Sequence, residues 1–197
     1  LAIIKEAIEK VIKAVDLMVQ RLQNKTIWLQ NAQKVLENKL NELKVTEIAE
    51  WTEKHRKLYK EYYDELWKVK NAIASYQRIK QILGRQKGLV TEYKRVWGII
   101  RNDDHFTRNE LDYMYRVYSG IMDASVRNLD QVHVVINSFK TQMSDGKRLE
   151  IINRCGEAIE QNYFDLKEFN TQNIQLSLSR AKDTHEIEMV KQLYELH

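Results

Sequence analysis

The stretch Gln20-RLQNKTIWLQNAQKVLENKLNE-Leu43 decides the fold, because its residues recur in a seven-residue pattern. Leucine stands at Leu22, Leu29, Leu36 and Leu43, and asparagine follows two places later at Asn24, Asn31 and Asn38. A seven-residue apolar repeat keeps one seam of a helix against a partner over many turns. The spacing extends to the chain start and predicts one helix over 1–44, about 60 Å long. Besides the leucines, and with Lys25 and Lys39 as polar interruptions, the seam contains Ile4, Ile8, Val11, Val15, Met18 and Ala32.

Composition favours helices throughout the chain. The 197 residues include no proline and six glycines, so almost nothing breaks a helix. We predict an all-α protein, a single elongated domain over 1–197 in which long, coiled-coil-like helices form an antiparallel bundle. The net charge of +4 arises from 32 basic and 28 acidic residues. This surplus favours solubility and weak attraction to acidic surfaces, but it is too small to indicate nucleic-acid binding.

Cysteine content and hydropathy leave the cellular compartment open. Cys155 is the one cysteine, so an internal disulfide is excluded. No run approaches the ~18 apolar residues of a membrane span, which leaves at most a peripheral membrane association. The sequence begins at Leu1 inside a helical pattern. We therefore expect that a leader preceded it and was removed.

Apolar spacing and loop residues predict the remaining helices. Gly84 and Gly88 predict an interruption between two helices. Thr107 and Glu110 form a capping box that starts another helix. The predicted helices after the first are long ones over 47–83, 107–142 and 146–181, a shorter one over 88–101, and a terminal piece over 183–195.

The asparagine ladder at 24, 31 and 38 lies on the flank of the first seam. It can form a polar strip that receives another helix, or it can be a solvated flank or a set of contacts within the chain. We favour the second interpretation.

Tyr63 and Trp67 lie away from the seam of the second predicted helix. Aromatic residues spread this widely indicate either a helix packed on two sides or an exposed patch for a partner. Internal packing is the more common arrangement and is the interpretation we favour. If the two side chains are exposed, they are candidate partner contacts.

The segment 78–101 carries seven basic residues against one acidic residue, Glu92. It is a candidate contact for phosphate, a lipid headgroup or an acidic protein. The alternative, which we favour, is that nearby acids balance it in space. Those acids are Asp103, Asp104, Glu110 and Asp112, and the candidate contacts in the segment are Arg85, Lys87, Lys94 and Arg95.

Catalytic and metal-binding motifs are not evident in this sequence. The loop 102–110 fails as an EF-hand, because Phe106 and Thr107 stand where a ligand and the turn glycine belong. The five histidines show no paired metal spacing, and Cys155 in a helix is expected to be buried and inert. We predict no enzyme activity, no catalytic residue, no metal, no cofactor and no small-molecule substrate.

Several long segments resemble the TraI-type conjugal transfer proteins of Bacteroidetes conjugative transposons, which are distinct from the relaxase of the same name. The resemblance runs over nearly the whole chain. It is carried above all by Gln20–Asn38, Glu47–Ile73, Thr141–Asn153 and Phe169–Lys182.

This resemblance implies a structural component of a type IV secretion (mating-pair formation) apparatus, similar to the elongated helical VirB5/TrbJ class. It further implies export to the periplasm or cell envelope and partners among the other subunits. The competing hypothesis is a cytoplasmic coiled-coil adaptor or regulator that binds nucleic acid or a protein through 78–101, although direct nucleic-acid binding is not expected. A third hypothesis, an enzyme with a site assembled across helices, has the least support.

Overall fold

The computed structural model describes residues 2–42, 53–137 and 143–196, and these residues form helices without any strand. The all-α prediction is confirmed, with long helices packed as a bundle. The helices are α1 (Ala2–Glu42), α2 (Glu53–Ile100), α3 (Arg108–Asn137), α4 (Asp145–Arg180) and α5 (Thr184–Leu193).

The four long helices form a bundle in which each packs on two neighbours. α1 contacts α2 and α3, and α4 contacts the same two helices. The pairs Tyr118–Asn170 and Gln131–Cys155 show that α3 and α4 run in opposite directions. Consecutive long helices are antiparallel, and α2 faces α3 across the diagonal. No described helix is long and apolar enough to cross a membrane.

The core lies along the bundle axis, where all four long helices contribute apolar side chains. Burying each large aliphatic residue contributes roughly 1.5–3 kcal/mol. In α1 the predicted seam is confirmed over the described side chains, since its apolar residues are buried or half-buried. The side chains of Leu36, Lys39 and Leu43 lie outside the described residues. The largest fully buried aliphatic side chains of the bundle are Ile79, Leu89, Ile100, Leu129, Ile152, Ile159 and Leu166.

The predicted break at Gly84 and Gly88 is wrong, because α2 continues without interruption through both glycines. Each glycine costs a helix about 1 kcal/mol relative to alanine. The burial of Ile82 and Leu89 on either side of the glycines outweighs that cost. The segments expected as separate helices over 47–83 and 88–101 therefore form one rod. Residues 47–52 at its predicted start lie outside the described residues.

Part of α1 and α2 extends beyond the main core as a two-helix arm, defined here as residues 22–42 and 53–68. Leu29 and Ala32 of α1 are buried, but they do not belong to the main core cluster. Asp145, the first residue of α4, borders a groove with Val69 of α2, so α4 begins level with the base of the arm. The 21 residues of α1 in the arm, 22–42, span roughly 30 Å.

Helix boundaries in the second half agree with the sequence to within a few residues. The Thr107 hydroxyl caps α3 by accepting from the Glu110 amide at 3.4 Å, and the Glu110 carboxylate accepts from the Thr107 amide at 2.9 Å. The capping-box prediction is confirmed. The predicted end of this helix at Gln142 lies outside the described residues.

Candidate functional site

Tyr63 and Trp67 are exposed on the arm, so the interpretation of internal packing is wrong for both. Their exposed fractions are 57% and 61%. The reason is that α1 and α2 are the helices that form the arm among the described residues, and α2 turns Val69 and Glu65 toward α1 there. Two residues along a helix correspond to about 200° of rotation, which places Trp67 on the side of α2 opposite to Val69.

Two aliphatic residues extend this exposed surface. Leu66 is 41% and Ile73 is 45% exposed. Leu66 follows Tyr63 by three residues, and Ile73 follows Leu66 by seven, which are helical spacings. We call Tyr63, Leu66, Trp67 and Ile73 the aromatic face; the first three belong to the arm, and Ile73 lies just beyond its base. These four side chains are between 41% and 61% exposed, and exposed apolar patches of a few hundred Å² are often functional surfaces.

The aromatic face carries positive charge. Lys60 and Lys70 lie on it at spacings of three residues from Tyr63 and Trp67, and both are exposed. The Lys70 Nζ lies 5.2 Å from the centroid of the Trp67 ring, within the range of a cation–π interaction. The cation and the ring therefore form one contact surface.

The acidic residues of this part of α2 lie on its flank toward α1, and Asp64, three residues before Trp67, is the one nearest to the aromatic face. Glu61, Asp64 and Glu65 border a separate groove together with Lys25 and Trp28 of α1. Glu65 Oε2 lies 2.8 Å from Lys25 Nζ across the arm. The hydrogen bonds from Lys25 and Lys68 lower the pKa of Glu65, so this carboxylate stays charged and fastens the two helices together.

The basic segment of α2 is exposed but partly neutralised. Arg85 pairs with Glu160 at 2.6 Å and lies over the Tyr163 ring. Arg95 pairs with Glu92 at 3.1 Å. Two of the four candidate cations are therefore engaged within the bundle.

Lys87 and Lys94 are the remaining candidates in that segment. They border a groove with the first turns of α1, including Lys5, and form no ion pair in the described part of the chain. This small basic groove lies at the opposite end of the bundle from the arm, so the structure does not bring it together with Tyr63 and Trp67.

The prediction that Asp103, Asp104, Glu110 and Asp112 neutralise the basic segment 78–101 is wrong. Asp103 and Glu110 are engaged by other partners, while Asp104 and Asp112 are exposed and form no ion pair in the described ranges. The carboxylates that lie against the segment come from α2, α4 and the chain end, because bundle packing and not sequence proximity decides the pairing. They are Glu92, Glu160 and Glu195.

A buried polar cluster at the end of the bundle was not predicted. The Asp103 carboxylate, in the loop between α2 and α3, accepts hydrogen bonds from the Ser177 and Tyr194 hydroxyls, each at 2.6 Å. It also accepts from the His105 amide at 3.0 Å, and its Oδ1 lies 2.7 Å from His105 Nδ1. Burial alone would raise the Asp103 pKa, but these hydrogen bonds together outweigh it and the pKa is lowered.

An ion pair beside this cluster fastens the same loop. Arg180, the last residue of α4, donates to both carboxylate oxygens of Glu110 at 2.6 and 3.0 Å, and also to the His105 carbonyl at 2.7 Å. The hydrogen bonds from Arg180 and Thr107 lower the Glu110 pKa to about 2. The loop between α2 and α3 is therefore bonded to α4 and to the end of α5.

The polar cluster joins segments that are far apart in sequence. Asp103 Oδ2 accepts hydrogen bonds from two hydroxyls, and Ser177 and Tyr194, which donate them, are both buried. Its partners lie 74 and 91 residues away in sequence. The sequence marks residue 103 only as part of a loop, and no local signal could have predicted those contacts.

The other singled-out residues are accounted for by simple burial or exposure. The asparagine ladder is exposed, and its side chains form no hydrogen bond within the described part of the chain, which agrees with a solvated flank. Cys155 is 1% exposed, and burial raises the pKa of its thiol, so its predicted burial is confirmed. Among the described residues, no cluster of His, Cys, Asp and Glu could hold a metal ion.

No family model, curated protein or solved structure matches this chain. The resemblance to conjugal transfer proteins therefore stays a prediction, and the geometry of the molecule has to support any function on its own.

Proposed function

We propose that this protein is a non-enzymatic assembly subunit that binds another protein through the aromatic face of its arm. The observation that supports this proposal is the exposure of Tyr63, Leu66, Trp67 and Ile73 on one side of α2. Tyrosine and tryptophan are enriched among the residues that dominate binding energy at protein interfaces.

The assembly we propose is the conjugative type IV secretion apparatus that the resemblance implies. A helical arm attached to a rigid bundle suits a structural component, because it presents a binding surface away from the core. Export to the periplasm or cell envelope, and partners among the other subunits, belong to the same proposal. The protein acts by holding its partners in place, without a substrate or cofactor.

The proposal is tested by the transfer frequency of a donor strain in which the gene for this chain is deleted in frame. We expect transfer to collapse on deletion and to return on complementation with the natural chain. Complementation with a Tyr63→Ala, Trp67→Ala double variant should restore less than a tenth of it, since losing an interface hot spot costs at least about 2 kcal/mol.

Phe164 provides a matched control, because it is an aromatic residue of α4 with 60% exposure outside the arm. Phe164→Ala should complement fully. Unchanged transfer on deletion, or full complementation by the double variant, would count against the proposal.

The adaptor hypothesis has less support, because Arg85 and Arg95 are already paired within the chain. It predicts DNA binding at low salt that weakens steeply as salt rises and falls further on Lys87→Glu and Lys94→Glu substitution. A natural chain that binds no DNA at low salt would remove this hypothesis.

A further inference from the structure

We infer that the partner element that docks on the aromatic face is an acidic amphipathic helix. This inference rests on the proposed function and specifies the chemistry of the partner. It depends on three properties of the face, namely its charge, its backbone and the position of its lysines.

The charge of the face selects for carboxylates. Lys60 and Lys70 are the lysines of the face, and both are exposed. Glu61 and Glu65 border the groove toward α1. Asp64 borders the same groove and lies at the edge of the face, three residues before Trp67, so the two lysines outnumber it. A partner that covers Tyr63 and Trp67 must therefore pair or displace two ammonium groups, and opposite charges on the partner favour both the encounter and the docked state.

The backbone of the face selects for a helix. The described residues of the arm are helical, so their amide and carbonyl groups are already bonded along the chain and no sheet edge is open for strand addition. An amphipathic helix brings its own satisfied backbone and presents side chains at spacings of three and four residues. These spacings match those of Tyr63, Leu66, Lys70 and Ile73.

The position of Lys70 argues against an anionic lipid surface as the occupant. Helices that lie on membranes carry their lysines on the polar side and bury the apolar side in the acyl region. Lys70 instead lies between Trp67 and Ile73, within the apolar face and against the indole ring. Insertion into lipid would bury its ammonium group, whereas a carboxylate of a docked helix can pair with it.

The lysine spacing defines the partner further. Ten residues separate Lys60 from Lys70, which corresponds to roughly 15 Å along a helix. The docked helix should therefore combine an apolar stripe with two acidic positions about 15 Å apart on its border.

Two designed helical peptides test this inference on the full chain. They share one apolar stripe and differ only in carrying glutamate or lysine on its borders, and fluorescence anisotropy measures their binding. We expect the glutamate peptide to bind at least fivefold more tightly at low salt, and the preference to shrink at high salt. Lys60→Glu with Lys70→Glu should reverse it, whereas the exposed Lys80→Glu should leave it unchanged.

Equal binding of the two peptides, or a preference for the lysine peptide, would overturn the inference. So would Trp67-dependent co-sedimentation with phosphatidylglycerol–phosphatidylcholine vesicles when the glutamate peptide does not bind. If the peptide preference fails while Trp67→Ala still abolishes transfer, only the partner chemistry is wrong. If the preference holds while transfer is unchanged, the face binds an acidic helix and the proposed function falls.

Discussion

Replacing Asp103 by alanine should destabilise the bundle, because this carboxylate joins the loop before α3 to α4 and to the chain end. Its side chain is 1% exposed. The substitution leaves the buried hydroxyls of Ser177 and Tyr194 without their acceptor. A hydrogen bond to a charged group contributes about 1.5–3 kcal/mol, and burying the carboxylate offsets part of that gain. We expect a net loss of about 2–4 kcal/mol in the free energy of unfolding.

Chemical denaturation followed by circular dichroism measures this loss, and thermal unfolding should show a midpoint lower by roughly 5–15 °C. Asp104→Ala is the control, because the neighbouring side chain is exposed and lacks such bonds in the described part of the chain. It should change stability by less than about 0.5 kcal/mol. If Asp103→Ala stays within that range as well, the cluster does not stabilise the fold and the reasoning fails.

The same substitution should alter the response to acid. The Asp103 pKa is lower in the folded state than its ordinary value, so the carboxylate stabilises the fold above that ordinary value. This contribution is lost as the pH falls through the folded pKa. The stability difference between the natural chain and Asp103→Ala should therefore narrow below about pH 4. A difference that widens in acid would contradict the assigned direction.

Other parts of the molecule give predictions of the same kind. Gly84→Ala should stabilise the chain by about 0.5–1 kcal/mol, because its Cβ would meet nothing within 4 Å in a continuous helix; a loss in denaturation midpoint would argue for a break there. Cys155 should react with a thiol reagent only after unfolding, and rapid native labelling would show that it is not buried. Trp67→Ala should leave the unfolding free energy within about 0.5 kcal/mol, so a larger loss would mean that the ring packs inside the protein. Small-angle scattering should give a radius of gyration above the ~16 Å of a compact chain of this length, and a value at or below it would contradict the projecting arm.

Periodicity predicted the fold class well because it reports on local burial. The seam of α1 is visible in sequence since Ile4, Val11 and Val15 recur at the spacing of one helix face, and all three are buried. The capping box at Thr107 and Glu110 is visible for the same reason, because its two partners are three residues apart. Features that depend on near neighbours were thus predictable.

Features that depend on residues far away in sequence could not be predicted from the sequence. The break at Gly84 was predicted from helix propensity, whereas packing of α2 in the bundle decides the outcome. Trp67 is a second example. Periodicity indicates that it lies off the seam, but it does not indicate whether a third helix covers it. The Asp103 contacts depend on the arrival of α4 and α5 at the same end of the bundle, and no spacing in the sequence encodes that meeting.

The continuity of α2 has a mechanical consequence. Trp67 on the arm and Leu89 in the core belong to the same uninterrupted helix, with no break in its backbone hydrogen bonding between them. A force applied to the arm is therefore transmitted along α2 to the bundle, and the two parts change orientation together. A partner that binds the arm therefore also sets the orientation of the bundle.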